Sequence, residues 1–216
     1  MSSLRPGLSY CDVGERLVFL DVAADCYFCL DAEAEAEFRR LDRCPGSGAP
    51  SASLQDTGLF ACSAHAAPPA PCKQPVPASR SLLDTPFPLA GPAATIAAIA
   101  RLHEAKLRFR LQGLAGALAS LRKAKLRSPA RSGSRDDLAG AMASFVRAER
   151  IVTVADACLS HSYAVARQLL AQGLDASLVL GVRLGPFAAH CWVQHDDWVI
   201  NDRLDTVRTF KPILVV

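Results

Sequence analysis

Residues 158–202 read CLSHSYAVARQLLAQGLDASLVLGVRLGPFAAHCWVQHDDWVIND, and within them the hydrophobic period changes once. The opening third repeats apolar residues at helical spacing and predicts a helix from about Ala157 to Gln172, with Gly173 as the residue that ends it. Beyond it the alternation is that of strands, over 176–182, 188–194 and 198–202. Upstream, Ile96, Ile99, Leu102, Leu107, Leu111, Leu114, Leu118 and Leu121 recur at three- and four-residue intervals, which predicts one apolar helix face, and 136–150 predicts another helix. Helices first and an antiparallel meander after them make an α+β plan.

The same stretch holds the chemistry. Cys158 falls at the start of the expected helix, where unpaired backbone N–H groups and the positive end of the helix dipole favour a thiolate. A nucleophilic thiol needs a base, and the base needs a group to orient it. His161 lies one turn on and leaves no room for an orienting acid, whereas His190 sits in a strand among Ala188, Ala189 and Trp192. On that strand Ala188, His190, Trp192 and Gln194 share one face, and Cys191 points to the other. A three-residue loop, 195–197, pairs Gln194 with Trp198 and sets His190 directly opposite Asp202, whose carboxylate then holds the imidazole. Asp196 and Asp197 read as turn residues. Cys26 and Cys29 form a CxxC, but residues three apart on a strand point to opposite faces, which argues against a shared zinc ion.

Outside this stretch the chain divides by composition. Residues 1–64 carry five basic against ten acidic side chains, while the whole chain has a net charge of +3. Eight of the fourteen prolines fall between residues 63 and 92, so 65–92 reads as a semi-rigid linker between a first domain, 1–64, and a second, 93–216. In the first domain Arg16–Asp21 and Cys26–Leu30 read as strands, with a weaker one near 8–12. A helix from Asp31 follows, its acids early and its arginines late, stopped by Pro45-Gly46. A short helix near 51–60 completes a winged-helix-like order. From Arg101 to Arg135, ten basic residues meet only Glu104. This is a solvated face, or a surface for a phosphate-bearing ligand, a partner protein or the acidic first domain. With Phe109 its sole aromatic, the stretch lacks the interleaving that reads bases, so nucleic acid is not expected. The first thirty residues lack signal-peptide features, and Thr85–Ala100 is too short and too proline-rich to span a bilayer. The expectation is a cytoplasmic protein without membrane association, its cysteines mostly reduced.

Cys158-Leu159 at a helix start, the LVLGVR strand at 178–183, PFAAHCWV at 186–193 and WVIND at 198–202 closely resemble the transglutaminase-like leader peptidases of lasso-peptide biosynthesis, the B proteins. LVFLD at 17–21 and YFCLDAEAEAEFRRL at 27–41 resemble the PqqD-like recognition element of ribosomal-peptide pathways, in the order found in fused B proteins. The resemblance implies a papain-like or transglutaminase-like cysteine peptidase domain with Cys158, His190 and Asp202 as its triad. It further implies that the leader of a lasso precursor adds as a strand along Cys26, Tyr27, Phe28, Cys29 and Leu30. Its partners are then that precursor and an ATP-dependent cyclase that closes the macrolactam. No cofactor of its own is implied, any ATP requirement entering through the cyclase. The alternatives are an adaptor that only presents the precursor, and a transamidase using the same triad.

Overall fold

A computed structural model describes residues 3–43, 49–61, 70–84, 86–128, 131–151 and 158–216. The expected helix stop at Pro45-Gly46 and the first residue of the expected third helix, Ala157, lie outside them.

The chain opens with β1 (Ser3–Leu4), β2 (Leu8–Val13), β3 (Arg16–Asp21) and β4 (Cys26–Phe28). β2, β3 and β4 form an antiparallel sheet in that order, with Phe19 opposite Phe28 and Tyr10 opposite Phe19. Helix α1 (Ala32–Arg43) lays Ala34 and Phe38 on this sheet, where Phe38 meets the rings of Tyr10 and Phe19 edge-on. Glu35 is buried here, and Arg16, Arg39 and the Leu17 N–H, at 2.8–3.1 Å, compensate its charge. Ser51 caps α2 (Ala52–Asp56), after which β5 (Phe60–Ala61) returns to pair with β1. The strand expected over Cys26–Leu30 ends at Phe28. Leu30 is buried in the small core, and its carbonyl accepts from Arg16 at 2.8 Å, so the chain has already turned away from the sheet.

The proline-rich strip, although largely exposed, is tethered to the rest of the chain at several described points. The Cys72 N–H donates to the Tyr10 carbonyl at 2.8 Å, and Gln74 reaches the Pro212 carbonyl at 3.2 Å. Further on, β6 (Arg80–Ser81) joins the second sheet, and a 3₁₀ turn, Leu82–Asp84, buries Leu82.

The second half supplies α3 (Pro92–Arg127), α4 (Arg135–Glu149), α5 (Cys158–Ala171), β7 (Ser177–Arg183), β8 (Ala188–His195), β9 (Trp198–Val199), α6 (Leu204–Arg208) and β10 (Lys211–Val215). The sheet order is β10-β7-β8-β9-β6. It is not wholly antiparallel, because β6 runs parallel to β9. The single apolar face expected along α3 is also corrected. Gly113 takes φ 63° and breaks the helix phase, and Ile96, Leu107 and Leu111 are exposed. In the first segment the expected Leu102 is buried together with Thr95, Ala98 and Ala105, small side chains that let α5 approach closely. Ser134 and Asp137 form a capping box that starts α4 where the sequence predicts a helix. One face of the sheet packs on α3, α4 and α5 in a core that also takes Cys11, Val18 and Leu20 from the first sheet. The other face carries a smaller cluster, Val179, Trp192, Val199 and Val207.

Candidate active site

Cys158 is the first residue of α5 and is half-buried. His190 lies third in β8, opposite Gly181 of β7. The structure brings these two together with Asp202: the His190 Nε2 bonds Asp202 Oδ2, and the Cys158 side chain lies near enough to the imidazole to favour its charged form. With Nε2 committed to the carboxylate, Nδ1 is the ring nitrogen left for the thiol. The carboxylate first, then the sulfur, hold the proton on the imidazole and raise its pKa from 6.5 to about 9, against the opposing effect of burial.

The route by which Asp202 arrives differs from the expectation. The β8–β9 loop has two residues, not three: Gln194 pairs with Val199 and His195 with Trp198. In that register a continued ladder would set Asp202 opposite Cys191, one residue short of His190 and on the wrong face. The ladder does not continue. The Ile200 N–H still donates to the Val193 carbonyl at 2.9 Å, but the Val193 N–H is then taken by the side-chain Oδ1 of Asn201 at 2.8 Å. The chain bends out of the pleat at that point, face parity is reset, and the Asp202 carboxylate turns in to the imidazole.

Asp202 is held on three sides. Its Oδ1 accepts from the Arg203 N–H at 2.6 Å, and its backbone carbonyl accepts from Ser81 Oγ, on β6, at 2.6 Å. Next door, the Asn201 amide donates to Ser162 Oγ at 2.9 Å and to His161 Nδ1 at 3.2 Å. Ser162 Oγ in turn donates a hydrogen bond to the Cys191 carbonyl at 2.8 Å, and His161 Nε2 faces Glu149 at 2.7 Å. Because Asn201 Oδ1 is an acceptor, every donor in this network has one direction. His161 thus serves as an anchor, one turn beyond Cys158, rather than as the base. His195, fully buried, places Nδ1 at 2.6 Å from the Asp175 carbonyl and accepts the Gly133 N–H on Nε2 at 3.0 Å. Both of its nitrogens are spent on structure.

Around the imidazole, Phe210 lies 5.0 Å and Trp192 6.2 Å away between ring centroids. A Cβ on Gly181 would fall 2.7 Å from the Trp192 ring, so the glycine makes room for this stack. Cys191 is in the core, and burial pushes its thiol well above the ordinary range. Asp197, read as a turn residue, also pins the strip: Arg80 and Ser79 bind its carboxylate and lower its pKa to about 2.

β4 is an edge strand of its sheet. Cys26 and Cys29 are exposed and Tyr27 and Phe28 partly so, while Leu30 is buried. Tyr27 leans on Phe187, in the β7–β8 connection three residues before His190, with ring centroids 5.6 Å apart. The expected leader edge therefore borders the Cys158–His190–Asp202 cluster. Sequence reasoning missed Asn201 and Ser81; the only visible signal was an asparagine interrupting an apolar run.

Residues 100–215 match the transglutaminase-like superfamily. Over 45 residues the chain is 51% identical to the microcin J25-processing protein McjB of Escherichia coli, an alignment that spans 21% of this chain and 22% of that protein. No solved structure matches the chain. No helix among the described residues is long and apolar enough to cross a membrane.

Proposed function

The chain belongs to the transglutaminase-like superfamily, and from that premise we propose that it is the leader peptidase of a lasso-peptide pathway. In this reading residues 1–64 bind the leader of the precursor and residues 93–216 cut the leader–core bond. The observation that carries it is the grouping of Cys158, at the start of a helix, with the hydrogen-bonded pair His190–Asp202. The likeness to a microcin-processing protein supports the substrate class.

The leader pairs with the open edge of β4 along Cys26–Cys29, which raises the effective concentration of the junction at Cys158. The thiolate attacks the junction carbonyl, and negative charge forms on oxygen near the positive end of the α5 dipole. The His190 imidazolium then gives its proton to the leaving amine, which departs with the core, and the leader acyl group stays on sulfur. His190, now neutral, takes a proton from water; the hydroxide attacks the thioester, and the thiolate and imidazolium are regenerated. Asp202 fixes the ring orientation and stabilises the imidazolium without itself being protonated. The free core amine is the nucleophile a separate ATP-dependent cyclase needs.

The test is the intact mass of a precursor incubated with the wild type and with Cys158→Ala. Hydrolysis gives fragments whose masses sum to the precursor plus one water, from the wild type alone. Fragments carrying an added amine would replace the peptidase reading by transamidation, and a bound but uncut precursor in both samples would replace it by an adaptor role.

A further inference from the structure

The basic excess of residues 101–135 is unevenly neutralised. Arg108 is paired with Glu104 at 2.9 Å, Lys125 with Asp175 at 3.5 Å, Arg131 with Asp137 at 3.5 Å and Arg135 with Asp136 at 2.9 Å. Among the described residues the other six, Arg101, Lys106, Arg110, Arg122, Lys123 and Arg127, have no carboxylate within ion-pair distance, and of these Lys106 and Arg110 share one cavity. These two stand one turn apart on α3, and both line a cavity of about 650 Å³ between α3 and the first turn of α5. Like charges at this spacing weaken a helix slightly, so the helix gains nothing from the pair. His103, a further turn back, points into the same space with Nδ1 held on the Ile99 carbonyl at 2.9 Å. Opposite them the wall is Leu159 and Ser160, the two residues that follow Cys158. Asp25, on the β3–β4 turn, is the single carboxylate of the lining, and Leu107 and Leu114 give it apolar surface.

We propose that this cavity is a specificity pocket for an acidic side chain of the substrate peptide, within a few residues of the bond that Cys158 attacks. The inference rests on the peptidase reading and names what that site selects. Two cations one turn apart match the two oxygens of a carboxylate, and the leucines cover the methylenes that carry it. The position beside the nucleophile, and the apolar lining, fit a peptide side chain better than a free inorganic anion. The basic stretch then has a use that a merely solvated face would not have.

Two series of short peptide electrophiles test this without depending on hydrolysis. Peptidyl chloromethyl ketones extend to the leader side of Cys158, and chloroacetyl peptides to the core side. Each series carries Glu, Gln or Lys in turn at the three positions nearest the reactive carbon, and alkylation of Cys158 is followed by intact mass. We expect one position at which Glu reacts about tenfold faster than Gln and Lys more slowly still. That preference should shrink as salt is raised. It should vanish in Lys106→Gln/Arg110→Gln and invert toward Lys in Lys106→Glu/Arg110→Glu, while plain iodoacetamide reacts at the wild-type rate in both. Equal rates for Glu and Gln at every position, or a Glu preference that survives in both variants, would overturn the pocket. A failed peptidase reading looks different: Cys158 alkylates with the Glu preference, yet no precursor is cut.

Discussion

The three-stranded and the five-stranded sheet each leave a strand edge unfilled, and they dispose of it in opposite ways. In the first sheet the outer side of β4 has no neighbouring strand among the described residues. In the second, β9 pairs with β8 only at Gln194 and His195, so the side of β8 next to His190 is also vacated. There the gap is closed from within: Asn201 caps the Val193 N–H and Asp202 meets the imidazole. An unpaired edge is a template for another chain, whereas the same gap lined by fixed side chains becomes a rigid site. The proposed division of labour follows, with the open edge recruiting a peptide and the internally filled edge performing the chemistry.

The largest effect should come from Cys158→Ala. Cleavage should fall by a factor on the order of 10⁶ while leader affinity by fluorescence anisotropy stays unchanged. A matching loss of affinity would mean that the residue is structural and that the two edges are not independent. Asp202→Asn should lower the rate on the order of 10⁴-fold. It also has a pH signature. His190 is raised from 6.5 to about 9 in the folded chain, so the stabilisation it draws from Asp202 is complete below about pH 6.5 and lost as pH rises through about 9. The melting-temperature gap between wild type and Asp202→Asn should therefore close above pH 9. The alkaline limb of the cleavage rate, near 9 in the wild type, should move down toward 6.5 in the variant. Identical limbs would break the assignment.

Asn201→Ala probes how the second edge is filled. It strands the Val193 N–H and removes the anchor beside Asp202, at about 1–3 kcal/mol of stability. The His190 pKa, read by NMR, should drop below that of the wild type. A stability loss with unchanged His190 titration would leave Asn201 as mere scaffolding. Gly181→Ala should have the smallest effect, about 1–3 kcal/mol from overpacking against Trp192 and a several-fold slower reaction, with leader binding intact.

The parts legible in the sequence are those that local rules control. β3 and α4 fall where an apolar, β-branched and aromatic run and helical spacing put them, and Cys158 and His190 stand out from a helix start and from a polar residue in an apolar strand. Parity along a continuous ladder leads to Asp202, but the ladder stops at Val199; the carboxylate meets His190 because a side chain, Asn201, replaces a backbone partner, which strand arithmetic cannot foresee. β10 escaped notice because Pro212 argues against a strand. The structure tolerates it at the sheet edge, with a register shift between Pro212 and Leu214. The buried face of α3 keeps Leu102, Leu114, Leu118 and Leu121 from the expected stripe, but Thr95, Ala98 and Ala105 complete its first segment and Gly113 shifts the phase, which leaves Ile96, Leu107 and Leu111 outside.

The most direct test measures binding and cutting in parallel on two full-length variants, Cys158→Ala and Cys26→Pro, the latter removing the N–H through which β4 pairs with Asp21 of β3 and so disrupting the edge strand. The account predicts a crossed result: Cys158→Ala binds leader like the wild type and does not cut, while Cys26→Pro loses leader affinity yet keeps Cys158 alkylation by iodoacetamide at the wild-type rate. Wild-type leader affinity and processing by Cys26→Pro would contradict it.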